Sequence, residues 1–315
     1  MGDRKRDEAK ITRRRLVQAG ALALGTAVVN RVPKGAPAPE AKAGLASAAG
    51  TPQGIHLSLA AYSMRQALLA GEMDLFDFID WCADLGLAGT ELTSYYFEKG
   101  FGRPYLHRLQ LRAFHRGVTI SGTAVRNNFC LPPGARREKE IDHVKRWIDH
   151  AAECLAPHIR IFGGPIPPGV SRDQAIGWVA DSIQEVLDYA SNRAVVLGLE
   201  NHGGITARAV DHLAICDRVG EHPHFGINLD TGNYRTDPYR ELALAAGRAV
   251  NVQFKVQVYR GGSDKVPADF ERVRRILLEA NYRGWLALEY EAEGDPHSEI
   301  PKHLDRLKQL FGPCT

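Results

Sequence analysis

The chain has 315 residues, 44% of them hydrophobic, which is enough for the buried core of one large domain or of two small ones. Its 40 basic and 37 acidic residues give a formal net charge of +3, and much of the basic excess lies in the N-terminal segment DRKRDEAKITRRR, so the rest of the chain lacks the basic footprint of a nucleic-acid-binding protein. The five cysteines are widely spaced and form no CxxC pair, which excludes a zinc knuckle or a disulfide framework and predicts that most of them are core residues.

An export signal is predicted at the N-terminus. Residues 12–16 read TRRRL, the mildly apolar run LVQAGALALGTAVV begins at Leu16, and the segment PKGAPAPEAKAGLASAAG follows. This order resembles a twin-arginine signal followed by a flexible linker, and the apolar run is too short to span a bilayer comfortably. We therefore expect residues 1–52 to be signal and linker without a stable membrane anchor, and the protein to be exported to the periplasm or out of the cell.

The twin-arginine interpretation predicts the effect of a double substitution. Replacing Arg13 and Arg14 together by lysine should leave a fusion protein that carries this N-terminus in the cytoplasm, because the signal depends on the arginine pair. Cell fractionation measures the outcome. Unchanged export would show that the segment is not a signal of this type.

From Ile55 onward, short apolar or β-branched runs alternate with longer segments of helical period. One such helical segment is DLFDFIDWCADLG, in which apolar residues recur at steps of three and four. Successive strand starts are separated by roughly 25 to 40 residues, the size of a βα unit. The predicted strands are IHLSLAAYS, LAGTELTS, GVTISGTAV, PHIRIFGG, AVVLGLEN, HFGINLD, AVNVQFKVQV and GWLALEYE.

Eight strands in strict alternation with eight helices predict an α/β protein with one (β/α)8 barrel, a TIM barrel, as the single domain of residues 53–315. An open doubly wound sheet is the alternative. It is disfavoured because AAYSMRQ, rather than a glycine-rich dinucleotide turn, ends the first strand. The segment RIFGGPIPPG contains three prolines and no Walker lysine, so it is interpreted as a turn rather than as a phosphate-binding loop.

Oxygen-bearing side chains lie at the ends of the last four predicted strands. Glu200 ends LGLE and Asp230 ends GINLD, while NVQFKV contains Gln253 and LALEYE contains Glu289. In a barrel of this type the chemistry lies at the carboxyl ends of the strands, so these groups should converge. Three buried carboxylates repel one another unless a cation or protons offset the charge, and all-oxygen ligation suits Mn²⁺ or Mg²⁺ better than Zn²⁺. Taken singly, each acid is equally typical of a solvated loop or of a salt bridge.

The segments LGLENHGG, LDTGN, QFK and LEYE resemble the metal-site segments of the xylose isomerase-like TIM barrels, and the resemblance covers about residues 55–311. That family includes sugar isomerases, ketose 3-epimerases, hydroxypyruvate isomerases, inosose dehydratases and apurinic endonuclease-like proteins. The resemblance implies a divalent metal, Mn²⁺ first with Mg²⁺, Co²⁺ and Zn²⁺ as alternatives, held by Glu200, Asp230, Gln253 and Glu289. Many members have histidine in place of Gln253, although hydroxypyruvate isomerase-like members also have glutamine. Many epimerases have histidine in place of Asn233, so the resemblance does not identify the sugar substrate.

The resemblance further implies a small-molecule sugar as the partner and an isomerase or epimerase that works by proton abstraction through an enediolate. Glu200 and Glu289 would act as the base and the acid, while the endonuclease branch would need additional histidines that are not evident in this chain. Lys255 is equally suited to pairing with a neighbouring carboxylate. A sugar lyase or dehydratase, a non-catalytic carbohydrate-binding barrel and a homo-oligomer remain open. The residues expected to contact the substrate are Tyr62, Glu91, His202, Asn233, Lys255 and Arg260, with Tyr95, Arg126 and Phe162 also near strand ends.

Overall fold

Eight parallel strands close into a barrel in residues 54–312, the part of the chain that this computed structural model describes. The strands are β1 (Ile55–Ala60), β2 (Gly89–Thr93), β3 (Thr119–Ala124), β4 (His158–Phe162), β5 (Val196–Glu200), β6 (Phe225–Asp230), β7 (Ala249–Phe254), β8 (Gln257–Tyr259), β9 (Lys265–Pro267) and β10 (Gly284–Leu288). All except β8 and β9 form the barrel, in the order β1-β10-β7-β6-β5-β4-β3-β2. The predicted (β/α)8 barrel is confirmed, while the predicted signal and linker, residues 1–52, lie outside the described residues.

Helices cover the outside of the barrel and connect its strands. Asp74 begins one of them with a capping box, because its carboxylate accepts hydrogen bonds from the backbone of Phe76 and Asp77 at 2.8 and 2.9 Å. Within residues 54–312, no helix combines the length and apolar character that crossing a bilayer requires. The α-helices are α1 (Arg65–Ala70), α2 (Leu75–Asp84), α3 (Arg103–Arg116), α4 (Ala135–Glu153), α5 (Arg172–Ser191), α6 (Ala209–Val219), α7 (Pro238–Ala245), α8 (Phe270–Glu279) and α9 (Pro296–Phe311).

Every barrel strand begins within two residues of its predicted start, but the segment AVNVQFKVQV is not one strand. The barrel strand ends at Phe254, and β8 pairs instead with β9 in an antiparallel hairpin. The first backbone N–H after this barrel strand, that of Lys255, donates to the side-chain hydroxyl of Thr231 at 2.8 Å rather than to the backbone of a neighbouring strand. The predicted single strand is therefore wrong over its last residues.

The barrel core contains an uncharged histidine. His158 begins β4 and is 5% exposed, and neither of its ring nitrogens has a hydrogen-bond partner among the described residues. Its ring lies against Gly122 and Gly198, where a Cβ atom would collide with it. Burial, followed by the charge of Arg160, lowers the pKa of His158 to about 3. The buried apolar side chains of the described residues form one cluster, and the four described cysteines are buried, as predicted, and unbridged.

His158 should make the barrel sensitive to acid. Its pKa is depressed in the folded state, so the stability it contributes is present above the ordinary histidine value and is lost as the pH falls toward 3. Between about pH 7 and pH 5, the wild type should lose ~2 kcal/mol more unfolding free energy than His158→Gln, which cannot take up this proton. Urea unfolding of both proteins at several pH values measures the difference. Parallel losses would show that the pKa of His158 is not depressed in the folded state.

Candidate active site

A cavity of about 400 Å³ opens at the carboxyl ends of the barrel strands. Strands β5, β6, β7 and β10 end at this side of the barrel, as the predicted convergence requires. Arg160 and Glu291, which were not predicted, also line it. The sequence-predicted residues that line the cavity are Tyr62, Tyr95, Arg126, Phe162, Glu200, His202, Asn233, Lys255 and Glu289.

Glu200 lies between a cation and a hydrogen-bond donor at the end of β5. The Nε atom of Arg160, on the neighbouring strand β4, lies 2.9 Å from Oε2 of Glu200, and Asn233 Nδ2 donates to Oε1 at 3.2 Å. Glu200 and Arg160 are 3% and 4% exposed, so this ion pair is shielded from solvent. Burial raises the pKa of Glu200 well above its ordinary value, although Arg160 acts in the opposite direction. Burial therefore favours the protonated form of Glu200 more than in an exposed glutamate.

Arg160 was not predicted from the sequence as a residue of the site. A charged residue in the middle of the apolar strand HIRIF was the available signal, because strand alternation places Arg160 on the same side as His158 and Phe162. Its guanidinium donates to the backbone carbonyl of Val125 at 2.8 Å and lies 3.9 Å from the centre of the Phe162 ring. These contacts fix the cation in place beside Glu200.

Lys255 lies at the centre of an acidic cluster. Its Nζ atom forms ion pairs with Asp230 at 3.4 Å and with Glu291 at 3.0 Å, and it donates a hydrogen bond to Glu289. Burial by itself lowers the pKa of Lys255, but the three carboxylates outweigh burial and raise it. Of the two predicted roles of Lys255, the structure shows the pairing with carboxylates. Glu291 was missed, although it follows Glu289 by two residues, the spacing that places side chains on one side of an extended chain.

A closed ring of hydrogen bonds lies next to this cluster. Glu91 accepts from Gln253 Nε2 at 2.9 Å and from Asn251 Nδ2 at 3.2 Å, while Asn228 donates to Gln253 Oε1 at 2.8 Å and accepts from Asn251 at 2.7 Å. Burial, followed by the charge of Glu289, raises the pKa of Glu91 to about 7. Glu91 and Gln253 are both 1% exposed and do not line the cavity. Substrate contact by Glu91 stays a prediction.

Asp230 provides a test of whether the site fits a divalent metal. Its Oδ1 accepts from the backbone of Gly232 at 2.8 Å, but its fully buried Oδ2 has no hydrogen-bond partner among the described residues. Burial raises the pKa of Asp230 to about 7, and Glu289 and Glu291 add to the increase, while Lys255 opposes it. This buried Oδ2 accepts no hydrogen bond from the described residues and is paired with Lys255 only at 3.4 Å, so amid several carboxylates it is chemically suited to a hard cation.

The oxygen-bearing side chains of this cluster are of the kind that binds a divalent metal, but here the carboxylates are arranged around the ammonium group of Lys255. Among residues 54–312, no three Asp, Glu, His or Cys side chains are already arranged to hold a metal ion. Gln253 directs its amide nitrogen toward Glu91 and Glu289 and its oxygen toward Asn228, so ligation by that oxygen requires the amide to turn. Gln253 as a ligand stays a prediction, as does the full predicted set with Glu200, Asp230 and Glu289.

His202 is placed by the turn that follows β5. Its backbone N–H donates to the hydroxyl of Thr206 at 3.1 Å, and that hydroxyl donates to the carbonyl of Glu200 at 2.8 Å. Gly203, with φ of +81°, and Gly204, with φ of +54°, permit this tight turn. Burial, followed by Arg160, lowers the pKa of His202 to about 4, so the ring that faces the cavity is neutral at pH 7.

Arg260 lies away from the cavity. It is exposed in the turn of the β8–β9 hairpin, where its backbone N–H donates to the carbonyl of Asp264 at 2.9 Å. Arg260 is not among the residues that line the cavity. Its contact with substrate stays a prediction that the described arrangement does not favour.

Comparison with known proteins supports the architecture. Residues 79–310 match the family model described as "Xylose isomerase-like TIM barrel". A comparison with curated proteins finds no match.

Solved structures with similar folds include a xylose isomerase domain protein from Planctomyces limnophilus, with 16% identity, a TM-score of 0.63, and coverage of 84% of this chain and 98% of that one. D-psicose 3-epimerase with D-tagatose from Clostridium cellulolyticum H10 has 15% identity and a TM-score of 0.66, over 81% of this chain and 99% of that one. The apo form of 3-keto-D-glucoside 4-epimerase from E. coli has 14% identity and a TM-score of 0.60, over 75% and 94%. At these identities the similarity shows the fold.

Proposed function

Since the chain belongs to the xylose isomerase-like TIM barrel family, we propose that it is a metal-dependent sugar isomerase or epimerase. The observation that carries the proposal is the pair of buried carboxylates Glu200 and Glu289, which line one cavity and are 3% and 6% exposed. Similar folds occur in a D-psicose 3-epimerase and in a 3-keto-D-glucoside 4-epimerase. Both names describe enzymes that invert a carbon next to a carbonyl group.

In the proposed reaction, one of the two glutamates removes a proton from the carbon next to the substrate carbonyl and the other returns a proton. The raised pKa of Glu200 suits this role, because burial makes its carboxylate a stronger base than an exposed glutamate. Asn233 donates to Glu200 and orients it, while neutral His202 can donate a hydrogen bond to a substrate oxygen. The positive charges of Arg160 and Lys255 stabilise the negative charge that develops when the proton leaves.

The proposal includes a divalent cation, with Mn²⁺ first. Asp230, Glu289 and Glu200 would hold it, and Gln253 would join them if its amide turned. When bound, the metal would polarise the carbonyl and hydroxyl oxygens of the sugar. The support is the oxygen-ligand chemistry of the cluster and the buried Oδ2 of Asp230, which accepts no hydrogen bond from the described residues and lies 3.4 Å from Lys255 Nζ.

We further propose that the enzyme acts outside the cytoplasm. The support is the N-terminal order of arginine pair, short apolar run and linker-like segment. An exported enzyme meets free sugars, oxidised sugars and glycosides, whereas sugar phosphates are retained in the cytoplasm. The proposed substrates are therefore uncharged sugars.

Proton exchange is the experiment that tests the shared first step. The purified protein, with Mn²⁺ added, is incubated in deuterated water with a panel of free and 3-keto sugars, and deuterium incorporation is measured by NMR. Exchange that depends on Glu200 and Glu289, and that survives Glu279→Gln on the exposed end of α8, supports the proposal. Exchange followed by loss of water would identify a lyase or dehydratase instead. Sugar binding without exchange would identify a carbohydrate-binding barrel.

A further inference from the structure

A second cavity, of about 640 Å³, adjoins the first, which we call the acidic cavity because Glu200, Glu289 and Glu291 line it. Tyr62, Tyr95 and Arg126 line both, so the two cavities share a wall at the mouth of the barrel. We call the second one the outer cavity. Its remaining lining residues are Arg65, Leu69, Ser94, Tyr96, His143 and Trp147.

Aromatic rings dominate the wall of the outer cavity. Tyr95 lies edge-on to Tyr62, with ring centres 6.4 Å apart, and edge-on to Tyr96 at 6.1 Å. These tyrosines and Trp147 are only partly buried, so the barrel core leaves part of each ring free for a ligand. Leu69, on α1, is 74% exposed at the rim. Partly exposed aromatic rings around a cavity are suited to the apolar C–H face of a sugar or to another ring.

The charged groups that line the outer cavity are two arginines whose guanidinium groups already contact the protein. Among the described residues that line it, none is Asp or Glu. The guanidinium of Arg65 donates to the backbone carbonyls of Tyr62 at 3.3 Å and Tyr290 at 3.0 Å, and that of Arg126 lies 5.0 Å from the centre of the Tyr95 ring. Burial lowers the pKa of His143, so its ring is neutral at pH 7. Because both guanidinium groups are already engaged by the protein, the aromatic rings are the main surface that the outer cavity offers to a ligand.

We infer that the outer cavity binds the second ring of a glycoside whose first sugar ring reacts in the acidic cavity. This inference rests on the proposed function and names its substrate class, an uncharged glycoside rather than a free monosaccharide. Each cavity is of the size of a small-molecule site, roughly 300–1,000 Å³, so a single sugar ring in the acidic cavity leaves the outer one empty. The second ring is a sugar or an aromatic aglycone, which share the flat apolar face that the tyrosines and Trp147 accept.

Calorimetric binding of four ligands to the full-length protein, without added metal, tests the inference. The ligands are phenyl β-D-glucoside, cellobiose, glucose and glucose 6-phosphate. We expect either glycoside or both to bind at least about tenfold more tightly than glucose, and Trp147→Ala to remove that advantage. The preferred glycoside then identifies an aglycone or a sugar as the second ring.

Two further variants keep the test valid if Trp147→Ala folds poorly, since Trp147 also packs against Phe97. Leu69→Asp changes an exposed side chain at the rim and should weaken the binding of the glycosides only. Leu111→Asp, at an exposed position of α3, should leave the binding of all four ligands unchanged. Equal binding of glucose and both glycosides, tighter binding of glucose 6-phosphate, or equal effects of the two Leu→Asp changes would overturn the inference. Preferential glycoside binding without proton exchange would contradict the proposed reaction but not this inference. Proton exchange without tighter binding of a glycoside would contradict this inference but not the proposed reaction.

Discussion

Glu289→Gln should lower the rate of substrate proton exchange by about 10²- to 10⁴-fold, because an amide matches the shape of the carboxylate but cannot take up a proton near neutral pH. The amide oxygen can still accept a hydrogen bond from Lys255, which also keeps its ion pairs with Asp230 and Glu291. The fold should therefore persist. Deuterium exchange at saturating sugar, with unfolding measured in parallel, separates lost chemistry from lost structure.

The companion variants give this prediction its controls. Glu200→Gln should show a loss of the same order, while Glu279→Gln, at an exposed position of α8, should behave as the wild type. Asp230→Ala removes a carboxylate with no proposed proton-transfer role, so added Mn²⁺ should restore part of its activity. Near wild-type exchange by both glutamine variants would show that the two glutamates do not carry the proton.

Lys255→Met should reduce the free energy of unfolding by about 3–5 kcal/mol when no divalent ion is present, because removing one partner leaves buried charges uncompensated. Lys255 is 7% exposed, and its side chain is the cation shared by Asp230, Glu289 and Glu291. Added Mn²⁺ should restore more stability to this variant than to the wild type, since the ion then meets no competing ammonium group. A concentration of 100 Kd would contribute about 2.7 kcal/mol.

Urea unfolding with and without Mn²⁺ measures both effects. Lys302→Met is the matched control, because Lys302 pairs with Glu299 on the surface and its side chain is 66% exposed. It should change neither the stability nor the response to Mn²⁺. A Lys255→Met protein as stable as the control would mean that the acidic cluster is largely protonated. An absent response to Mn²⁺ in both proteins would contradict the proposed cofactor.

Some features of the molecule could be predicted from local sequence patterns. The alternation of apolar runs with helical segments predicted the barrel, and each strand start lies within two residues of its predicted position. The strand starts could be predicted accurately because the periodicity of a strand or helix depends on residues that are close in sequence. Glu200 and Asp230 end β5 and β6 and Glu289 follows β10, and barrel topology brings those ends together.

The partners of these side chains could not be predicted in the same way. Gln253 donates to Glu91 across 162 positions of sequence, and Lys255 meets Asp230, Glu289 and Glu291 from three segments of the chain. Periodicity indicates which side of a strand a residue occupies, but not which side chain lies opposite it after closure.

The sequence by itself therefore determined the fold class and the acids at the strand ends, since both depend on spacing along the chain. Only the tertiary structure decided that Arg160 faces Glu200, that Gln253 turns its oxygen toward Asn228, and that an aromatic cavity adjoins the acidic one. The physical reason is that barrel closure sets the distances between side chains far apart in sequence. Burial and charge at those distances then decide which groups pair and which remain free for a ligand.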